Sequence, residues 1–389
     1  MVSEASLRSN ALTLIPALAL CGALSAQSPI SSAHARHLEH SYTIEQPAFV
    51  STLYADGSSA LLQSEIVWKE ICGGLGAHLN ADELQRMADS HECMVGSGTP
   101  IIVDTPKGAD AGPNIVFTVS GSIPAGGLAA LAMVETYIES QFNDAFNLNI
   151  SLSFANLGPG VLGGTGSAYA NVPWSTARAG LVNNKDANDT IQTSLPSGST
   201  IPVRYTSGSS VTNENRVFFT TGAYKSTIGT FSGTDANMQF NSAFAFDYDP
   251  TNGISAGTYS FVDVAIHEVG HAMGCTSGID FRYNDIEAID IYRFQRTDGT
   301  GDYNPDTLAE FTARPRLAAY NAPNDAHNFD IISVEYRYAD GSPYQASHFR
   351  EQTPNIGIMD PAFAAVQTFY PNYYSAADHA LFDAIGYDR

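Results

Sequence analysis

The sequence predicts an α+β fold in which a mixed sheet packs on helices, and three stretches carry that expectation. Ile115-Val116-Phe117-Thr118-Val119 reads as a strand. Ala129 to Phe142 follows with Leu131, Val134, Ile138 and Phe142 at helical spacing. Leu148 to Phe154 then alternates Leu148, Ile150, Leu152 and Phe154, the period-two pattern of a half-buried strand. Strand–helix–strand order implies a sheet with the helix packed across it. A Gly-rich stretch, Gly158 to Gly166, precedes a further extended segment, Tyr169 to Val172, and Met238-Gln239-Phe240 reads as one more short strand.

At 389 residues the chain can bury a substantial core. It carries 18 Lys and Arg against 40 Asp and Glu, a formal net charge of −22. Such a surface repels phosphate backbones, so nucleic acid is not an expected partner. Arg8 and the uncharged apolar run Ala11 to Ala26 have the layout of a signal peptide, too short for a bilayer span. Residues 1–35 are therefore expected to be removed, with cleavage after Ala26 or Ala35, and the protein to be secreted or periplasmic. No other segment is long and apolar enough to expect stable membrane insertion.

Residues 36–110 read as an N-terminal extension or prosegment, with a helical stretch from Ser64 to Ala77 and a linker at Gly96-Ser97-Gly98-Thr99-Pro100. Beyond the signal, Cys72, Cys93 and Cys275 form an odd set that cannot pair fully within one chain. Cys72 and Cys93 are placed for a local disulfide, and Cys275 is expected to be a buried thiol.

The segment with the most chemical content is Ser260-Phe261-Val262-Asp263-Val264-Ala265-Ile266-His267-Glu268-Val269-Gly270-His271-Ala272-Met273-Gly274. Ser260 with Asp263 three residues on is an N-terminal capping pattern. Apolar residues surround nearly the whole helix, which predicts burial. His267 and His271, at i and i+4, project from one face, so both imidazoles can reach one tetrahedral zinc. Glu268 stands beside them as the base for a water in the metal's open position, whose pKa zinc lowers to about 7. Gly274 can take the left-handed conformation that stops the helix.

Two histidines do not complete such a site. Position 277, where a short three-histidine motif would end, is Ser277. Asp280, Glu287, His327 and His348 are the candidates for a third ligand. Here the chain resembles the metzincin zinc peptidases. It is most similar to their leishmanolysin branch and to exported bacterial metallopeptidases, in which a long insertion separates the helix from a distant third histidine. The resemblance rests on the helix motif and on His348 followed by Gly357-Ile358-Met359-Asp360-Pro361. More softly it extends to Phe246-Asp247-Tyr248-Asp249-Pro250 and the ending Asp378-His379-Ala380-Leu381-Phe382-Asp383-Ala384-Ile385-Gly386-Tyr387.

The resemblance implies His348 as third zinc ligand, with Asp280 and Glu287 as alternatives, and Met359 as a methionine beneath the metal. It implies an upper catalytic subdomain, 111–274, holding the mixed sheet and ending in a central zinc-binding helix. An irregular lower subdomain, 275–389, would supply the third ligand and the Met-turn. The implied activity is a secreted zinc endopeptidase in which Glu268 activates water against a peptide or protein substrate lying along an edge strand. A thermolysin-like peptidase using Glu287, or a non-catalytic exported metal-binding protein, are the rival readings. Ser90-His91-Glu92-Cys93 resembles a prosegment thiolate switch, with a disulfide or buried thiol as the plainer reading. Asp247-Tyr248-Asp249-Pro250-Thr251-Asn252-Gly253 reads as a tight turn, with a calcium loop as the alternative. His379 is expected at the solvent-exposed face of a C-terminal helix.

Overall fold

The structure, a computed structural model, describes residues 41–53, 59–74, 101–104, 112–157, 161–187, 191–206, 208–280, 284–295, 305, 307–322, 324–328, 334–336, 338–342 and 344–389. The signal segment, Cys93 and the histidines at 34, 37 and 40 lie outside the described residues.

The first strands are β1 (Ser41–Leu53), β2 (Ser59–Gly74), β3 (Ile101–Val103), β4 (Asn114–Ser120), β5 (Asn147–Ala155), β6 (Val161–Ser167) and β7 (Tyr169–Pro173). They are followed by β8 (Ile201–Arg204), β9 (Thr212–Glu214), β10 (Arg216–Thr220) and β11 (Ala236–Asn241). The main sheet runs β10-β7-β1-β2-β6-β11-β5-β4-β3, with Ala362–Phe363 paired to the end of β2. It is mixed, as expected: β4, β5 and β11 are parallel, whereas β6 is antiparallel to both of its neighbours. β8 pairs with β9 on one side and with Arg316–Leu317 on the other in a small separate sheet.

Among the described residues the helices are α1 (Gly127–Glu139), α2 (Trp174–Asn184), α3 (Thr221–Thr227), α4 (Phe261–Ala272), α5 (Leu308–Ala313) and α6 (Ala376–Ala384). The chain is thus α+β. None of these helices is long and apolar enough to cross a membrane.

The period-two and period-3.6 patterns land where they were read. Ile115, Phe117 and Val119 of β4 and Leu148, Ile150 and Leu152 of β5 are buried. They belong to the same core as Leu131, Val134 and Ile138 from one stripe of α1. Each such side chain contributes about 1.5–3 kcal/mol by leaving water. The same core cluster runs on through α4 to Met359, Phe382 and Tyr387, so residues 111–274 and 275–389 share it.

Two expectations fail. Ser64 to Gly74, the described part of the stretch read as a helix to Ala77, belongs to β2, paired antiparallel with β1 from Ser41↔Cys72 to Leu53↔Ser59. Cross-strand pairing outweighs the weak helical spacing there, as tertiary context commonly does. His379 lies on α6 but is half-buried, facing Gln141 Oε1 at 3.1 Å and standing edge-on to Tyr374. Burial pushes its pKa down to about 4.

Candidate metal centre

The centre is built on α4. Ser260 caps it, its Oγ accepting the Asp263 N–H at 3.3 Å, as the sequence pattern predicts. Asp263 also accepts from Phe369 N (2.6 Å) and Thr368 Oγ1 (2.8 Å), tying the start of the helix to the C-terminal segment. All twelve residues of α4 are buried. The helix ends before Gly274, whose φ of 118° is open to glycine at little cost.

β6 approaches α4 closely because its residues are small. Gly163, Thr165 and Ser167 share the face toward the helix. Thr165 Oγ1 lies 2.7 Å from Glu268 Oε2 and 3.0 Å from the Glu268 carbonyl, and Ser167 Oγ donates to the His271 carbonyl at 3.3 Å. A Cβ on Gly163 would stand 3.0 Å from Glu268 Oε1. The Gly-rich stretch is therefore the strand that holds the Glu268 carboxylate, a role its glycine content hides from a periodicity reading. The outer side of β6 is taken by β2, with Glu70↔Thr165 and Cys72↔Gly163 in register, so it is not an edge strand here.

Three buried histidines meet beside this carboxylate. One ligand atom each from His267, His271 and His348 lies within 4.8 Å of the others, close enough to bind a metal ion. The His267 and His271 rings are 4.7 Å apart, and His348 stacks on His267 at 5.2 Å. Each Nδ1 faces a backbone carbonyl: Ile358 O for His267 (2.7 Å), Cys275 O for His271 (2.7 Å) and Gln345 O for His348 (3.3 Å). A carbonyl only accepts, so each Nδ1 carries the proton and each Nε2 presents a lone pair.

Those ring nitrogens converge on one another. His267 Nε2 and His271 Nε2 are 3.0 Å apart, and His348 Nε2 is a buried atom with no hydrogen-bond partner. Leaving such an acceptor unsatisfied costs about 1–3 kcal/mol. Burial, then the neighbouring imidazoles, hold His267 and His348 well below the ordinary histidine pKa, and burial lowers His271 as well. Protonation is thus a poor remedy, and a cation shared by three neutral imidazoles is the arrangement that satisfies all of them.

The lower segment is anchored rather than loose. Phe349 N donates to Met359 O (3.0 Å), and Ala339 N to His348 O (2.9 Å). Asp378, in the first turn of α6, accepts the N–H groups of Ile358 (2.9 Å) and Met359 (3.1 Å), which places the Ile358 carbonyl on His267. Met359 packs under α4, where a Cβ on Gly270 would overlap its sulfur. Gly270→Ala is therefore expected to destabilise the protein by about 1–3 kcal/mol through overpacking, read from its chemical denaturation midpoint.

Asp280 and Glu287, two other candidates for third ligand, lie outside the histidine trio. The Asp280 carboxylate accepts the N–H groups of Ala346 (2.6 Å) and Ser347 (3.0 Å), and burial raises its pKa to about 7. Glu287 opens the 3-10 turn Ala288–Tyr292, its N–H bonded to Asp290 Oδ2 at 2.9 Å. His327 lies in the strand Asn324–Asn328, in register with Glu335. Ser277 donates to Asp290 Oδ1 at 2.6 Å. At the calcium candidate, Asp247 accepts from Asp249 N (3.0 Å) and Ser255 N (2.9 Å), and Asp249 from Thr251 N (3.0 Å), the bonding of a closed turn. Among the described residues the histidine trio is the group that could hold an ion. Cys275 is a buried thiol, its Sγ 2.9 Å from Ser347 O.

Comparison with protein-family models, curated proteins and solved structures finds no match. Geometry and chemistry alone speak for function. Thr165, Gly163 and the anchoring roles of Asp378 and Asp280 escape a sequence reading. The alternation of small and hydroxyl side chains at 163, 165 and 167 is the one signal that could have pointed to the first two.

Proposed function

We propose that this chain is a zinc-dependent endopeptidase of the metzincin type. The observation that carries the proposal is the convergence of three buried histidines, His267, His271 and His348, with one ligand atom each within 4.8 Å of the others, beside Glu268, the residue following the first of them. Three imidazoles fit zinc, and a site with three protein ligands leaves a coordination position open, whereas a structural site is closed by four. A bound zinc supplies Lewis acidity, polarising the scissile carbonyl and lowering the pKa of water in the open position.

The protein's own groups do the rest. His267, His271 and His348 are held neutral and aimed by their Nδ1–H bonds to backbone carbonyls. Glu268, its Oε2 fixed by Thr165, takes the proton from the attacking water and returns it to the leaving amine nitrogen, so the base is regenerated each turnover. An extended polypeptide is the substrate class that suits a site bordered by a strand, since the β6 ladder runs beside Glu268. β2 occupies that ladder, so a peptide reaches it once residues 59–74 have left, which fits the reading of 36–110 as a prosegment.

Hydrolysis of an unfolded protein tests this reading. It is expected to vanish on chelation, return on adding zinc, and rise at least severalfold after specific cleavage between residues 74 and 101. Hydrolysis indifferent to a chelator that has removed the metal would overturn the proposal.

A further inference from the structure

The chain leaving α4 grips the turn that carries His348 at several points. Asp280, at the end of the 3-10 turn Gly278–Asp280, is buried and accepts two consecutive amides, Ala346 N on Oδ1 at 2.6 Å and Ser347 N on Oδ2 at 3.0 Å. Cys275 Sγ reaches Ser347 O at 2.9 Å. Arg293, fully buried, donates to the carbonyls of Ala346 and, at 2.9 Å, Ala339. It is itself held by Asp290 at 2.8 Å, whose carboxylate also takes Ser277 Oγ–H (2.6 Å) and Gly278 N–H (2.8 Å).

A carboxylate that accepts two successive backbone N–H groups fixes the orientation of that peptide, and the next residue is His348. The same short segment begins directly after His271. Two ligands on a rigid helix and one on a turn 77 residues later are thus referenced to a single buried polar frame. Charge-assisted bonds of this kind are stronger and more directional than neutral ones.

We propose that Asp280 is a positioning residue for the metal centre: by holding the amides of Ala346 and Ser347 it sets His348 Nε2 where it meets His267 and His271. The inference rests on the reading of these three histidines as metal ligands. Outer partners of ligands typically govern metal affinity by about 10–100-fold.

A double-mutant cycle on the full chain tests it, with zinc affinity measured by competition against a chelating dye and the visible spectrum of the cobalt-substituted protein as a second readout. Asp280→Asn keeps the size but turns an amide NH2 toward one of the two N–H groups. It is expected to weaken zinc binding about 10–100-fold and to shift the cobalt spectrum toward that of His348→Ala. In the His348→Ala background the same substitution should change affinity by less than about twofold, because its effect runs through His348. Should Asp280→Asn fold poorly, Cys275→Ala loosens the same turn from another side with little change in volume. It should weaken zinc severalfold, again only when His348 is present.

Affinity unchanged by Asp280→Asn, or an equal loss in both backgrounds, overturns the positioning role. Zinc bound as tightly by His348→Ala as by the parent removes the ligand assignment itself, and the two failures are distinct.

Discussion

Glu268→Gln is expected to lower peptide hydrolysis by about a thousandfold, within the range of 10²–10⁴ typical for loss of a general base, while one equivalent of zinc stays bound. Glutamine has the same shape and still offers an oxygen to Thr165 Oγ1, which lies 2.7 Å from the carboxylate. The helix, its cap and the three imidazoles are untouched by the change. What disappears is the negative charge that accepts the proton from water. Stability should shift little, because the amide is easier to bury than a carboxylate while the Thr165 bond survives. Hydrolysis at the parental rate in a fully metallated Glu268→Gln protein would exclude the base role.

His348→Ala is expected to weaken zinc binding by more than about 100-fold, beyond the loss typical of an outer partner, and hydrolysis should fall with it. The change removes one of three converging nitrogens and leaves His267 and His271 with two ligands between them. Glu287→Gln is the informative control, since Glu287 sits at the start of the Ala288–Tyr292 turn and outside the histidine trio. It should retain a full equivalent of zinc. Stoichiometric, tightly held metal in His348→Ala, or its loss in Glu287→Gln, would move the third ligand elsewhere. Dialysis followed by metal analysis reads both outcomes.

Local chemistry was legible wherever it repeats at a short period. The alternation in β4 and β5 and the helical stripe Leu131, Val134 and Ile138 were placed to within a few residues, because one buried face imposes one spacing. Ser64 to Gly74 of β2 has the spacing of a helix, since its ladder partner β1 is not visible in its own spacing. β6 escaped for a different reason. Its work is to be thin, so it carries glycine and hydroxyl side chains where a core strand normally carries branched ones.

The sequence by itself determined the heart of the centre: a capped, fully buried helix that sets His267 and His271 one turn apart on one face with Glu268 between them. That follows from 3.6 residues per turn and the cost of burying polar groups, both local matters. Only the tertiary structure decided which of Asp280, Glu287, His327 and His348 joins them. Closing a loop of 77 residues instead of 9 costs only about 2 kcal/mol more in chain entropy, at about 0.6 kcal/mol per doubling, so distance along the chain does not discriminate. Packing does: Asp280 is bound to the amides of Ala346 and Ser347, and the turn so held brings His348 to the helix histidines.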